Sequence, residues 1–204
     1  MKILKLSLVL LVLIVSANVA YSQIGVRAGV NIATQSSDED DDDVSSIIGL
    51  NLGLTYEHGL SDRLSIQPEL HFIQKGAKVE FDDFFGSGEI STTLNYLELA
   101  VMGKYTIADI GDDGGLYLGI TPHLGFGLNG KYKFEFEGES ETEDVDFDDD
   151  GLNRIDFGVG FGLGASFGNI YLDVRYNLGL ANVADDDDFT INNRGILIGV
   201  GYKF

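Results

Sequence analysis

Apolar and polar residues alternate with a period of two through most of the chain, as in strands that present one apolar and one polar face. In the first such segment, 24–33, Ile24, Val26, Ala28, Val30 and Ile32 alternate with Gly25, Arg27, Gly29, Asn31 and Ala33. Seven more segments follow at 48–57, 64–72, 96–105, 116–128, 154–164, 170–180 and 195–204, and Leu197 departs from the pattern of the last. Each supplies about 9–11 residues, the length a tilted strand needs to cross a bilayer. The connections alternate in length, short at 59–63, 109–115 and 165–169, long at 34–46, 75–92, 129–152 and 182–192. An even number of such strands closes antiparallel with both termini at one end. The pattern predicts an all-β fold, an eight-stranded antiparallel up-and-down transmembrane β-barrel over residues 23–204.

Alternation alone does not say which face meets lipid, because a soluble lipocalin-type barrel also alternates, with its apolar side inward. The polar face is dense in glycine and poor in lysine, unlike a water-facing sheet surface and suited to the cramped lumen of a small barrel. It also carries both signs of charge, Arg27, Lys104, Arg154, Arg175 and Lys203 with Glu57, Glu69, Glu98, Asp156 and Asp173. Buried charges must be paired, so these residues, with His71 and His123, are expected to form an interior polar network. Tyr56, Tyr105, Phe161, Tyr176, Tyr202 and Phe204 are candidates for interfacial girdles, although the chain has no tryptophan.

Residues 1–22 read as an export signal. Lys2 and Lys5 precede an apolar run from Leu6 to Val15, broken only by Ser7, and small Ala20 and Ser22 set cleavage before Gln23. The run is short for a spanning helix, which disfavours the alternative of an uncleaved anchor. The absence of cysteine excludes a lipidated cysteine, disulfides and thiolate metal sites.

The chain carries 33 acidic against 13 basic residues, a net charge of −20, which excludes nucleic acid as a partner. Of the acids, 24 fall in the four long connections. Solvated, mutually repelling loops account for this; the sharper alternative is Ca²⁺ or Mg²⁺ bridging carboxylates to one another or to lipopolysaccharide. Asp146, Asp148 and Asp150, followed by Gly151, match the start of a calcium loop, but the twelfth position is Phe157 and not the bidentate glutamate. No other cofactor is expected.

The histidines, His58, His71 and His123, stand in no Ser-His-Asp order, and no carboxylate pair is set apart. A non-enzymatic barrel is therefore expected, with structural or interaction roles and outer-membrane lipid and lipopolysaccharide as partners. The alternatives are a narrow pore, which eight strands disfavour because side chains fill so small a lumen, and a lipid-modifying enzyme of the same architecture.

The last strand ends on Tyr202-Lys203-Phe204, which resembles the C-terminal signal read by the barrel-assembly machinery. The run Asn95-Tyr96-Leu97-Glu98-Leu99-Ala100-Val101-Met102-Gly103-Lys104-Tyr105 resembles the Tyr-Leu-Glu strand of the PorT-like porin family of Bacteroidetes outer-membrane barrels, with Ala100 where that family carries proline. Ile66-Gln67-Pro68-Glu69-Leu70, Asp173-Val174-Arg175-Tyr176 and the start at Ser22-Gln23-Ile24-Gly25 extend the likeness over the mature chain. The resemblance implies an outer-membrane location and a β-barrel fold. It implies no catalytic residues, and the secretion role known for a few members does not carry over.

Overall fold

The computed structural model describes residues 22–37, 44–83, 86–147, 151–184 and 189–204. The export signal expected at 1–22 lies outside them except for Ser22, with which the first strand begins. The strands are β1 (Ser22–Ser37), β2 (Val44–Ser45), β3 (Ile47–Gly59), β4 (Leu64–Asp83), β5 (Gly86–Ile110), β6 (Gly114–Phe136), β7 (Glu139–Val145), β8 (Ile155–Phe167), β9 (Ile170–Gly179) and β10 (Ile191–Lys203). Eight of them, β1, β3, β4, β5, β6, β8, β9 and β10, pair in chain order. The first pairs with the last, from Gly25 opposite Lys203 to Ser37 opposite Ile191, and the ring closes. Closure leaves none of these strands with an open edge inside the ring. The fold is the eight-stranded antiparallel up-and-down barrel that the alternation predicts.

Burial decides the faces. Leu99 and Leu163 are each 60% exposed, whereas Glu69 is 3% and Asp156 0% exposed. The apolar side of every barrel strand points outward and the polar side fills the lumen. The inward glycines leave room for large side chains from neighbouring strands: the Tyr171 ring lies over Gly201 and the Tyr117 ring over Gly164, so that a methyl group at either glycine would collide with the ring.

Three tight turns share one end of the barrel. After β3, the amides of Leu60 and Ser61 both donate to the Leu64 carbonyl, at 2.8 and 3.0 Å. Gly111 (φ 63°) and Gly168 (φ 57°) take the left-handed conformation in the next two turns. The termini sit at the same end, where the Phe204 amide donates to the Ile24 carbonyl at 2.8 Å.

The other end differs from the expectation of four long loops. The connections at 75–92 and 129–152 are mostly strand: β4 runs 20 residues, β5 25 and β6 23, and β7 folds back on β6. Together with β2, which pairs with β4, they form a five-stranded blade standing on the barrel rim. The acidic runs at 38–43 and 185–188 lie outside the described residues.

The blade inverts the polarity of the wall below it. In the barrel, Leu70, Phe72, Leu97 and Leu99 face outward. Above it, the same outward face carries Lys78, Glu80, Glu89 and Ser91, while Val79, Phe81 and Ile90 turn to the inner face. In β6 the switch is made by an extra residue, Leu128, at a bulge between the pairs Tyr96–Gly127 and Asn95–Asn129. Along the line of inversion the outer face carries an amide ladder: Gln74 Nε2 donates to Asn95 Oδ1 at 3.0 Å, and Asn95 Nδ2 donates to Asn129 Oδ1 at 2.6 Å.

Candidate functional site: a filled lumen and an acidic blade

Three tiers of paired charge fill the lumen. Nearest the short turns, Glu57 accepts Lys104 at 3.0 Å, Lys203 at 3.2 Å and the Ser65 hydroxyl at 2.8 Å. The Lys104 ammonium also lies 4.3 Å from the centre of the Tyr117 ring, a cation–π contact. In the middle tier, Arg175 grips Glu69 with two guanidinium nitrogens, at 2.6 and 2.9 Å, the fork geometry that makes such pairs strong. Its Nε reaches Asp173 at 3.1 Å, and Asp173 in turn holds Arg27 at 2.5 Å. His71 bridges Glu69 (2.7 Å) and Asn51 (2.9 Å). In the upper tier Lys75 lies between Glu98 (2.6 Å) and Asp156 (3.0 Å), and Asn193 donates to Asp156 at 3.0 Å.

Ten of the twelve residues expected in the interior network meet in these tiers: Arg27, Glu57, Glu69, His71, Glu98, Lys104, Asp156, Asp173, Arg175 and Lys203. His123 is buried beside the upper tier, in a cleft shared with Lys75, Asn177 and Asn193. Arg154 departs from the expectation. It precedes β8 on the rim, donates to Asp146 at 3.1 Å and lies over the Phe147 ring. Lys75, expected at the start of a loop, is instead a buried lumen residue, because β4 continues past it. Among the described lumen residues, Arg27, Lys75, Lys104, Arg175 and Lys203 offset Glu57, Glu69, Glu98, Asp156 and Asp173, so the packed interior is close to neutral.

Above the tiers sits an apolar cap of Ile73, Leu94, Tyr96, Val145, Phe147, Val183 and Leu197. Tyr96 and Phe147 meet edge to face with ring centres 5.6 Å apart. Leu197, the apolar exception on the polar face of β10, belongs to this cap. The segment after β7 is pinned there: the Asn153 side-chain amide donates to the carbonyls of Asn182 and Ala184, and its backbone amide donates to Val183. The cleft among Asn31, Lys75, His123, Asn177 and Asn193 measures about 10 Å³, the room of a single water molecule.

On the blade, Lys78 donates to Glu80 and Glu89, and these hydrogen bonds push its pKa up to about 12. Of the three aspartates singled out for a divalent cation, Asp146 is engaged by Arg154, and Asp148 and Asp150 lie outside the described residues. Among the described residues, no cluster of three or more His, Asp or Glu side chains is disposed to hold a metal ion.

A closed antiparallel ring, apolar outside and ion-paired within, defines a membrane-spanning β-barrel. The chain belongs to the outer membrane protein beta-barrel domain family, whose model matches residues 16–185. Among solved structures, Neisserial surface protein A (NspA) is similar with a TM-score of 0.50 at 15% identity, covering 89% of this chain and 97% of that one. OprG of Pseudomonas aeruginosa follows at 0.49 and 14% identity, over 90% of this chain and 96% of its own. Ail of Yersinia pestis gives 0.42 and 15%, over 90% and 99%. No curated protein matches the chain by sequence. The likeness to NspA is one of fold.

Proposed function

We propose that this protein is a non-enzymatic barrel of the outer membrane that holds an acidic β-blade above the lipid, on the outside of the cell, and interacts through it. The observation that carries this reading is the inversion of polarity across the Gln74–Asn95–Asn129 ladder, as expected where the outer face of a sheet passes from hydrocarbon into water. Short turns inside and long extensions outside is the usual orientation of such barrels. The chain is exported by its signal at 1–22, is received by the assembly machinery through the strand ending at Phe204, and sits in lipid and lipopolysaccharide as one of the PorT-like barrels of Bacteroidetes. Divalent cations act at the acidic connections as diffuse counter-ions.

The tiers and the cap support a closed wall over a pore. The fixed partners of His71, Glu69 and Asn51, support a structural histidine over a catalytic one. Reconstitution into planar bilayers tests the closed wall: no current steps are expected, and stepwise conductance would establish the narrow pore instead. An altered lipid A mass profile in a deletion strain would establish the enzyme.

A further inference from the structure

We propose that the free edge of β7 is a docking site for a basic extended peptide, which adds to the blade as a further strand. The inference rests on the reading of the blade as an outward-facing interaction surface and names the partner class. Among the described residues β7 pairs with β6 alone, and Glu139 to Asp144 are exposed along its length. Such an edge offers a row of unpaired amides and carbonyls to an incoming strand.

The register fixes what that strand must carry. Opposite Phe136, Phe134 and Tyr132 of β6 stand Glu139, Glu141 and Glu143 of β7, all on the inner face. Ser140 and Thr142 occupy the outer face between them. Beyond the acids the inner face is aromatic: the rings of Phe81, Phe134 and Phe136 stack with centres 6.2 to 6.5 Å apart. A partner with Lys or Arg at every second position sets each cation beside one glutamate, because directly opposed residues on a sheet face interact. Its long apolar stems then lie toward the aromatic floor. A second copy of this chain is disfavoured as the occupant, since β7 against β7 would oppose glutamate to glutamate.

The test uses the folded barrel in nanodiscs of zwitterionic lipid and a fluorescent heptapeptide alternating threonine with arginine. One comparison peptide has the same composition with its three arginines contiguous; another has every amide N-methylated. The alternating peptide is expected to bind at least about tenfold tighter than either and to slow amide exchange across 139–145. Glu141→Lys with Glu143→Lys is expected to abolish this preference and transfer it to a threonine–glutamate peptide; Glu141→Gln with Glu143→Gln weakens binding without reversal. Equal binding of the three peptides, or unchanged exchange in β7, overturns the proposal while the barrel reading stands, provided the folded chain still shifts its gel mobility on boiling. A chain without that shift overturns both.

Discussion

Lys75 Nζ lies 3.0 Å from Asp156 Oδ2, reaching across the lumen from β4 to β8, and 2.6 Å from Glu98 Oε2 on β5. One buried ammonium thus serves two buried carboxylates, and removing it leaves two anions without a counter-charge. Lys75→Met is expected to destabilise the barrel by about 3–5 kcal/mol, read from the urea midpoint in detergent micelles. Adding Glu98→Gln and Asp156→Asn is expected to restore much of the loss. An unchanged midpoint for the single variant would show that the tier is not held by charge.

The Tyr171 ring fills the space that a side chain at position 201 would take. Gly201→Ala is expected to cost about 1–3 kcal/mol by overpacking. Combined with Tyr171→Ala, the second change is expected to cost less than it does alone, because the ring it would strike is gone. A double-mutant cycle by thermal unfolding measures the coupling; strict additivity would contradict the contact.

In the cap, Phe147 packs edge to face against Tyr96. Phe147→Ala is expected to weaken the cap by about 3–5 kcal/mol and to speed amide exchange at Asn153 and Val183, whose backbone amides are hydrogen-bonded within it. Bilayers are expected to stay electrically silent, because three tiers of ion pairs remain beneath. Conductance in this variant would mean that the cap alone seals the lumen.

Charge placed on the outer face reports where lipid ends. Leu99→Arg is expected to cost about 2–4 kcal/mol, whereas Ser91→Arg, on the same face of β5 but above the amide ladder, is expected to cost about 0–1 kcal/mol. Equal penalties measured by refolding into lipid vesicles would remove the boundary.

The eight barrel strands and their faces were legible because hydrocarbon outside and a cramped lumen inside impose one unbroken alternation. The blade was not, because the two solvents exchange sides above the ladder. Ala77, Val79 and Phe81 alternate with Lys78, Glu80 and Asp82, as Tyr132, Phe134 and Phe136 do with Lys131, Lys133 and Glu135. That is a strand signal, but its polarity is opposite to the barrel's, and at Leu128 a bulge shifts its phase. Lys75, inward like Glu69 and His71, was not legible either, because β4 runs on beyond Phe72, where the clean apolar alternation ends. Interior charges were legible as a set from their place on the polar face. Their partners were not: Glu69 and Arg175 are 106 residues apart, and only the closed register brings them together. Arg154 shares the parity of an inward residue yet precedes the first paired residue of β8, so parity alone misplaces it.

The environment of the outward residues of β5 separates a membrane-spanning wall from a water-exposed one, and a chain without cysteine lends itself to single-cysteine spin labelling in nanodiscs. Labels at Leu97, Leu99 and Val101 are expected to collide with oxygen and be shielded from a water-soluble nickel chelate, with the preference reversed at Ser91 and Glu89. Chelate access at Leu99 equal to that at Ser91 would contradict a membrane-spanning barrel with a blade in water.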